Sequence, residues 1–148
     1  NIFLYPEEVF VSPASSALKK ETYSSASETD QAVTFCASSK RRDEMAQEMC
    51  ESLIDIVAAL FSVPSKELRR AGRTADSVSR VRQIAMYVAH VVLRLTQGEV
   101  GRGFGRDRTT VVHACHTIED LRDDAEFDRI VSTVEQIAQA AFRMRIEG

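Results

Sequence analysis

The stretch 101–116 reads GRGFGRDRTTVVHACH and gathers the residues best suited to do chemistry. Gly101, Gly103 and Gly105 recur at every second position, which raises the question of a phosphate-cradling loop. A Walker loop needs G-x-x-x-x-G-K-[ST] after a buried strand, so that backbone N–H groups surround the phosphates and a Lys reaches them. No Lys follows Gly105, and the preceding segment reads as a capped helix. A dinucleotide fingerprint needs its glycines between a strand and a helix, and that strand is missing too. His113 and His116 lie at i,i+3, but Cys115 points to the opposite side and no carboxylate stands at a suitable spacing, so no metal site is expected. Cys115 sits on an apolar face without a base in reach, which suits a small core residue better than a nucleophile. The stretch therefore implies no catalytic residue, no bound nucleotide and no cofactor.

The glycines fit a different role, as punctuation between two short helices. Thr96 with Glu99 three residues on makes a capping box that predicts a helix over Gln97–Phe104. Gly105 ends it, since glycine takes a positive φ at little steric cost. Asp107 is then placed to cap a second helix over Arg108–Leu121. At roughly 100° per residue, Val111, Ala114, Cys115, Ile118 and Leu121 share one side of that helix. Thr109, His113 and His116 project from the other, flanked by Thr110, Val112 and Thr117, with Arg106 and Arg108 at the N-terminal end. Hydroxyls, imidazoles and methyls with forked guanidiniums are the groups that meet base edges in a DNA major groove.

The elements that must position this pair are also helical. From about Asp43, Met45, Met49, Leu53, Ile56, Val57 and Leu60 recur at spacings of three and four, until Pro64. A short turn, KELRR, follows a Ser65 cap, and a basic connector, AGRTAD, leads on. The next helix is predicted over Ser77–Leu95, with Val81, Ile84, Ala85, Val88, Val92 and Leu95 on one face; it is the expected spine of the core. His90 falls off that face. Asp123 and Glu126 form another box before a last helix ending near Arg145, whose stripe is Ile130, Val134, Ile137, Ala138 and Ala141. The acidic run EDLRDDAEFD between the last two helices reads as a solvated cap and linker. No strand is expected, so the fold class is all-α: a helical bundle containing a helix-turn-helix. Residues 12–40, rich in Ser, Thr and Ala without a sustained period, read as part of a flexible arm over 1–42. The expected division is that arm, a DNA-binding domain over 43–122 and a C-terminal helix over 123–148.

Charge supports a binding segment in the middle. The 148 residues carry a formal charge of −3, which by itself argues against nucleic acid. Residues 1–65 hold 5 Lys/Arg and 10 Asp/Glu, residues 66–113 hold 10 and 4, and residues 114–148 hold 4 and 8. A basic centre between acidic flanks is the footprint that a whole-chain pI conceals. Three cysteines, Cys36, Cys50 and Cys115, show no C-x-x-C spacing and read as free thiols of a reducing compartment. The opening NIFLYPEEVFVS lacks a basic n-region and holds Glu7 and Glu8, so it does not read as a signal peptide, and no apolar run approaches a membrane span. A cytoplasmic location without membrane contact is expected.

The run VRQIAMYVAHVVLRLTQGEVGRGFGRDRTTVVHACHTIEDLR resembles the C-terminal DNA-binding domain of the bacterial replication initiator DnaA family. The likeness extends over residues 50–122 and is densest over 82–119. It implies that Asp107, Arg108, Thr109, Thr110 and His113 read bases in the major groove. It also implies backbone contacts from Arg82, Gln83 and Arg106, with Thr96, His116 and Thr117 at the same surface. Arg73, in the basic loop AGRTADS, falls where the family sends an arginine into the minor groove. Three departures are visible. FGRDR stands where the family pattern reads FGGRDH, so one glycine is missing; Arg108 replaces the usual His; and Thr74 and Asp76 occupy loop positions where arginines are common. The family's ATPase needs a Walker loop and a further domain that this sequence does not hold.

The sequence therefore predicts a non-enzymatic, sequence-specific binder of double-stranded DNA that regulates transcription or replication. The competing expectation is a helical adaptor that keeps the fold but binds a protein. The last helix either closes the core or pairs with another copy as a homodimer.

Overall fold

The computed structural model describes residues 28–147. Seven helices follow in order: α1 (Glu28–Phe61), α2 (Ser65–Arg69), α3 (Asp76–Val91), α4 (Gln97–Phe104), α5 (Arg108–Leu121), α6 (Ala125–Ala141) and α7 (Arg143–Ile146). No strand occurs among the described residues, so the class is all-α, and none of their helices is long and apolar enough to cross a membrane. The helix-turn-helix pair α4–α5 has the bounds that its capping signals predict.

α1 begins well before Asp43. Residues 28–42, assigned from sequence to a flexible arm, are continuous helix; the rest of that arm, 1–27, lies outside the described residues. Side chains 33–45 are exposed and so leave no hydrophobic period to read. A helix anchored downstream has already met its nucleation cost, and each further residue adds one hydrogen bond. Two ion pairs, Arg42–Glu99 at 2.9 Å and Arg102–Asp43 at 3.3 Å, then tie this part of α1 to α4.

The buried side of α1 is Ala46, Met49, Cys50, Leu53, Ile54, Val57 and Ala58. It is rotated by about one residue from the predicted stripe, leaving Met45 and Leu60 exposed. The reason is steric: the small residues Ala46 and Cys50 face α4 and let it approach. α3 buries Val81, Ile84, Ala85 and Val88 as predicted, but it stops at Val91, short of Leu95. Arg94 takes a left-handed φ of 57°, Leu95 N donates to the Ala89 carbonyl, and His90 Nδ1 lies 2.8 Å from the Leu95 carbonyl. This break frees Thr96 to start α4.

α6 packs on the same core through Val131, Val134 and Ala138, and Phe142 closes its end. This face too is offset by one position, since Ile130 and Ala141 stay exposed. Its cap is Asp124, whose carboxylate accepts from Phe127 N at 2.9 Å, in place of the Asp123–Glu126 box. Arg122, in the run read as a solvated linker, anchors α6 instead. It pairs with Asp128 at 2.6 Å and with Glu135, donates to Tyr87 Oη at 3.1 Å, and lies over the Tyr87 ring.

Glu99 is the charged group on which α4 depends. Its carboxylate accepts from Thr96 N at 2.8 Å and from Arg42 Nε at 2.9 Å, completing the capping box. Burial alone raises a carboxyl pKa, but the Thr96 N–H and Arg42 outweigh it and hold Glu99 below the usual range. A carboxylate with a depressed folded pKa stabilises above its unfolded value and loses that contribution as pH falls through the folded one. Urea unfolding should therefore show the wild type losing stability below about pH 4, with a shallower loss in Glu99→Gln. Equal slopes in both proteins would refute this role of Glu99.

Candidate nucleic-acid interface

The three glycines each answer a different steric demand. Gly105 has φ +63° at the C-cap of α4, and the next amide, Arg106 N, returns to the Gly101 carbonyl at 2.8 Å. A Cβ on Gly101 would lie 2.7 Å from the Arg106 carbonyl oxygen. A Cβ on Gly103 would lie 2.5 Å from Cys50 Sγ. The alternation thus records one left-handed turn and two close approaches, with no phosphate loop involved. Burial pushes the Cys50 thiol up to about 12 and the Cys115 thiol up to about 11, so both stay protonated core residues.

The turn directs α5 so that Val111, Ala114, Cys115 and Ile118 are buried, while Arg108, Thr109, Thr110, His113 and His116 are exposed. Asp107 occupies the N-cap position but makes no side-chain cap hydrogen bond, contrary to the sequence expectation. Its carboxylate remains on the surface beside the base-reading candidates. Beside α5 runs a groove of about 300 Å³, lined among others by Arg73, Gln83, Arg106, Thr110 and His113. With Arg82, which also lines it, six candidates from the loop before α3, α3 itself, the α4–α5 turn and α5 share one depression. Asp107, Arg108, Thr109, Thr96, His116 and Thr117 do not line it.

Arg82 behaves otherwise than the resemblance implies. It is only 5% exposed, and its guanidinium donates to the carbonyls of Leu68 and Glu67 at 2.9 Å each, to that of Arg70 at 3.5 Å and to Thr74 Oγ1 at 3.4 Å. Its donors are thereby committed to structure rather than to a phosphate, since Arg82 closes the C-terminal end of α2 and pins the basic loop. Thr117 is similarly engaged, its hydroxyl donating to the His113 carbonyl at 2.9 Å, which leaves it no proton for a phosphate oxygen. Thr96 Oγ1 accepts from Glu99 N, so its own O–H stays available. Gln83 accepts from Arg80 Nη1 at 2.8 Å, which leaves its amide N–H groups as donors.

Arg106 spans the two halves of the site. Its Nη2 donates to the Arg70 carbonyl, the same oxygen that Arg82 reaches, and its buried Nε has no protein partner. Burial and the adjacent Arg106 charge lower the Arg82 pKa, against a smaller opposing effect of Glu67. The floor of the groove is thus positively charged. Arg70 and Arg80, which sequence reasoning did not single out, and Thr74, read there only as a departure from the family's loop, supply this framework; no motif spacing marks the Arg70 carbonyl as a ligand. Arg73 is exposed on the rim, next to Gly72 with its φ of +92°.

Comparison with known proteins agrees with the helix-turn-helix fold. Residues 50–118 match the family described as the bacterial dnaA protein helix-turn-helix. These residues form a DnaA-type helix-turn-helix domain. The chain is 37% identical over 102 residues to the chromosomal replication initiator protein DnaA of Rhodopseudomonas palustris (strain BisA53), covering 67% of this chain and 21% of that protein. It is 38% identical over 100 residues to its counterpart from Bradyrhizobium sp. (strain ORS 278), again with 21% of that protein covered. A crystal structure of a DNA replication initiation factor superposes with a TM-score of 0.60 at 27% identity. A replication initiator DnaA bound to AMPPCP and single-stranded DNA does so at 0.58 and 26%. Each superposition covers 67% of this chain and 30% of the other. The chain thus spans about a fifth of the curated relatives it matches, and α6 lies beyond the DnaA-type region.

The division between buried and exposed arginines is directly measurable. Arg82→Ala removes the side-chain donor from the Leu68 and Glu67 carbonyls and one of the two from the Arg70 carbonyl, and should cost about 2–3 kcal/mol in urea unfolding. Arg108→Ala, at the exposed start of α5, should stay within about 0.5 kcal/mol of wild type. The reverse order of the two costs would contradict the assignment of Arg82 to structure.

Proposed function

We propose that this chain binds double-stranded DNA sequence-specifically through its DnaA-type helix-turn-helix, and so regulates replication or transcription without catalysing a reaction. The observation that carries this reading is the groove: the outer face of α5 stands over two adjacent guanidiniums, one of them with an unpartnered buried Nε. An anionic backbone oxygen suits that position, because it supplies both the missing acceptor and the missing charge. With Arg106, Gln83 and the Thr96 hydroxyl on phosphates, Arg108, Thr109, Thr110 and His113 meet base edges, and exposed Asp107 can accept from a cytosine amino group. Arg73 on the rim lies along the neighbouring minor groove. The loop's Thr74 and Asp76 make that contact weaker than an arginine-rich loop would. His116, at the exposed edge of α5, is a further backbone contact.

A role at the initiator's own sites follows from the family, with this chain competing for or modulating occupancy of the same boxes. The test is fluorescence anisotropy on a duplex carrying the DnaA recognition box and on a scrambled duplex, at two salt concentrations. The box should bind more tightly, and both duplexes should weaken as salt rises, because counterion release then drives binding less. Arg108→Ala should narrow the preference by about 1–3 kcal/mol, whereas Gln83→Ala should weaken both duplexes alike. No binding at low salt would overturn the reading in favour of a helical protein-binding adaptor.

A further inference from the structure

A second depression, of about 700 Å³, lies on α2 and is lined by Lys66, Glu67, Arg69 and Arg70. Arg70 belongs to both concavities. Its carbonyl receives Arg82 and Arg106, which line the groove beside α5, while Arg70 itself lines the depression. Three residues on, Arg73 lines the groove. Exposed Lys66, Arg69, Arg70 and Arg73 thus lead from α2 to the basic loop as a run of cations. Nearby carboxylates cancel it only in part. Asp55 takes Arg69 at 3.1 Å. Glu67 meets Arg70 at 3.7 Å, an exposed pair of the kind that contributes little and yields readily to a better acceptor. Lys66 makes no ion pair among the described residues.

We infer that this depression holds the phosphate backbone of duplex DNA beyond the segment faced by α5, with Lys66 and Arg70 as the contacts. The inference rests on the DNA-binding reading above and extends its footprint. Phosphates follow one another about every 3.4 Å of axis along each strand, so a backbone that passes Arg106 and Arg73 carries further charges towards α2. There Arg70 exchanges the distant Glu67 carboxylate for a phosphate oxygen in a charge-assisted bond. Lys66 acts beside it as a compact point charge on a flexible stem. Such contacts position the protein and carry no base information. α2 runs directly into the basic loop and so stands on the loop side of the groove. The added contact is therefore one-sided, and flanking DNA should matter on one side of the recognition box only.

Fluorescence anisotropy of the full chain over a range of salt tests this with three duplexes. One of about 14 base pairs holds the DnaA recognition box; two of about 28 lengthen it on one side or on the other. Wild type should bind one lengthened duplex more tightly than its equal-length counterpart, with a slope of log affinity on log salt steeper by about 2. The double variant Lys66→Gln, Arg70→Gln should make the two lengthened duplexes equivalent. Arg129→Gln with Arg143→Gln removes the same charge from α6 and α7 and should keep the difference, which separates a local contact from net charge. Glu67→Gln, which removes the competing carboxylate, should enlarge it. Binding to the box with no difference between flanks overturns the inference and leaves the DNA-binding reading intact. So does a difference that survives Lys66→Gln, Arg70→Gln or is lost equally in the α6–α7 control. No binding to any of the three at low salt overturns both.

Discussion

A guanidinium removed from water must find acceptors, and the position of the recognition surface follows from how Arg82 finds them. α2 has five residues, too few to hold its own end. Arg82, projecting from α3, satisfies the carbonyls of Glu67, Leu68 and Arg70 and so fixes where α2 stops and where the basic loop begins. Arg106 reaches the same Arg70 carbonyl from the turn between α4 and α5. One backbone oxygen therefore references the loop and the recognition helix to each other. The placement of Arg73 relative to the outer face of α5, on which the proposed contact with two grooves of DNA depends, follows from this node.

The same arrangement explains how a chain of net charge −3 can present a cationic site. Several carboxylates are engaged elsewhere, Glu67 with Arg70, Asp55 with Arg69 and Asp43 with Arg102, and Asp76 is the one carboxylate of the groove lining. Arg82 and Arg106 stand together over the shared, neutral Arg70 carbonyl oxygen, so the groove lining carries more positive than negative side chains. Acidic residues concentrate instead around the α5–α6 junction, where Arg122 binds two of them and Tyr87.

Much of the site was legible because its signals are local. The Thr96–Glu99 box, Gly105 and the apolar spacing of α5 mark α4 and α5 to the residue, and the exposed Thr109, Thr110 and His113 follow from the same spacing. Other features depend on partners distant in sequence. Nothing around Arg82 distinguishes a phosphate from the carbonyls of residues 67–70, because a forked donor serves both. The first half of α1 carries no hydrophobic period, since solvent surrounds it and its helicity is inherited from the anchored half. The one-residue offsets of α1 and α6 have a common origin: a stripe read from hydrophobicity alone favours the largest side chains, whereas close packing favours Ala46, Cys50 and Ala138. Asp107 and Asp124 show the same limit in capping, where sequence marks the candidates and local geometry selects one.

The central claim is that the outer face of α5 and the Arg73 loop form one DNA-binding surface held together by the Arg82–Arg70–Arg106 node. The most direct measurement is a titration of the ¹⁵N-labelled protein with duplex DNA, followed by amide and arginine side-chain shifts. Concerted changes are expected at Arg73, Arg106, Thr109, Thr110 and His113, with the solvent-facing amides of α6 unmoved. Changes confined to α6 or to the exposed half of α1, with α5 silent, would contradict the claim.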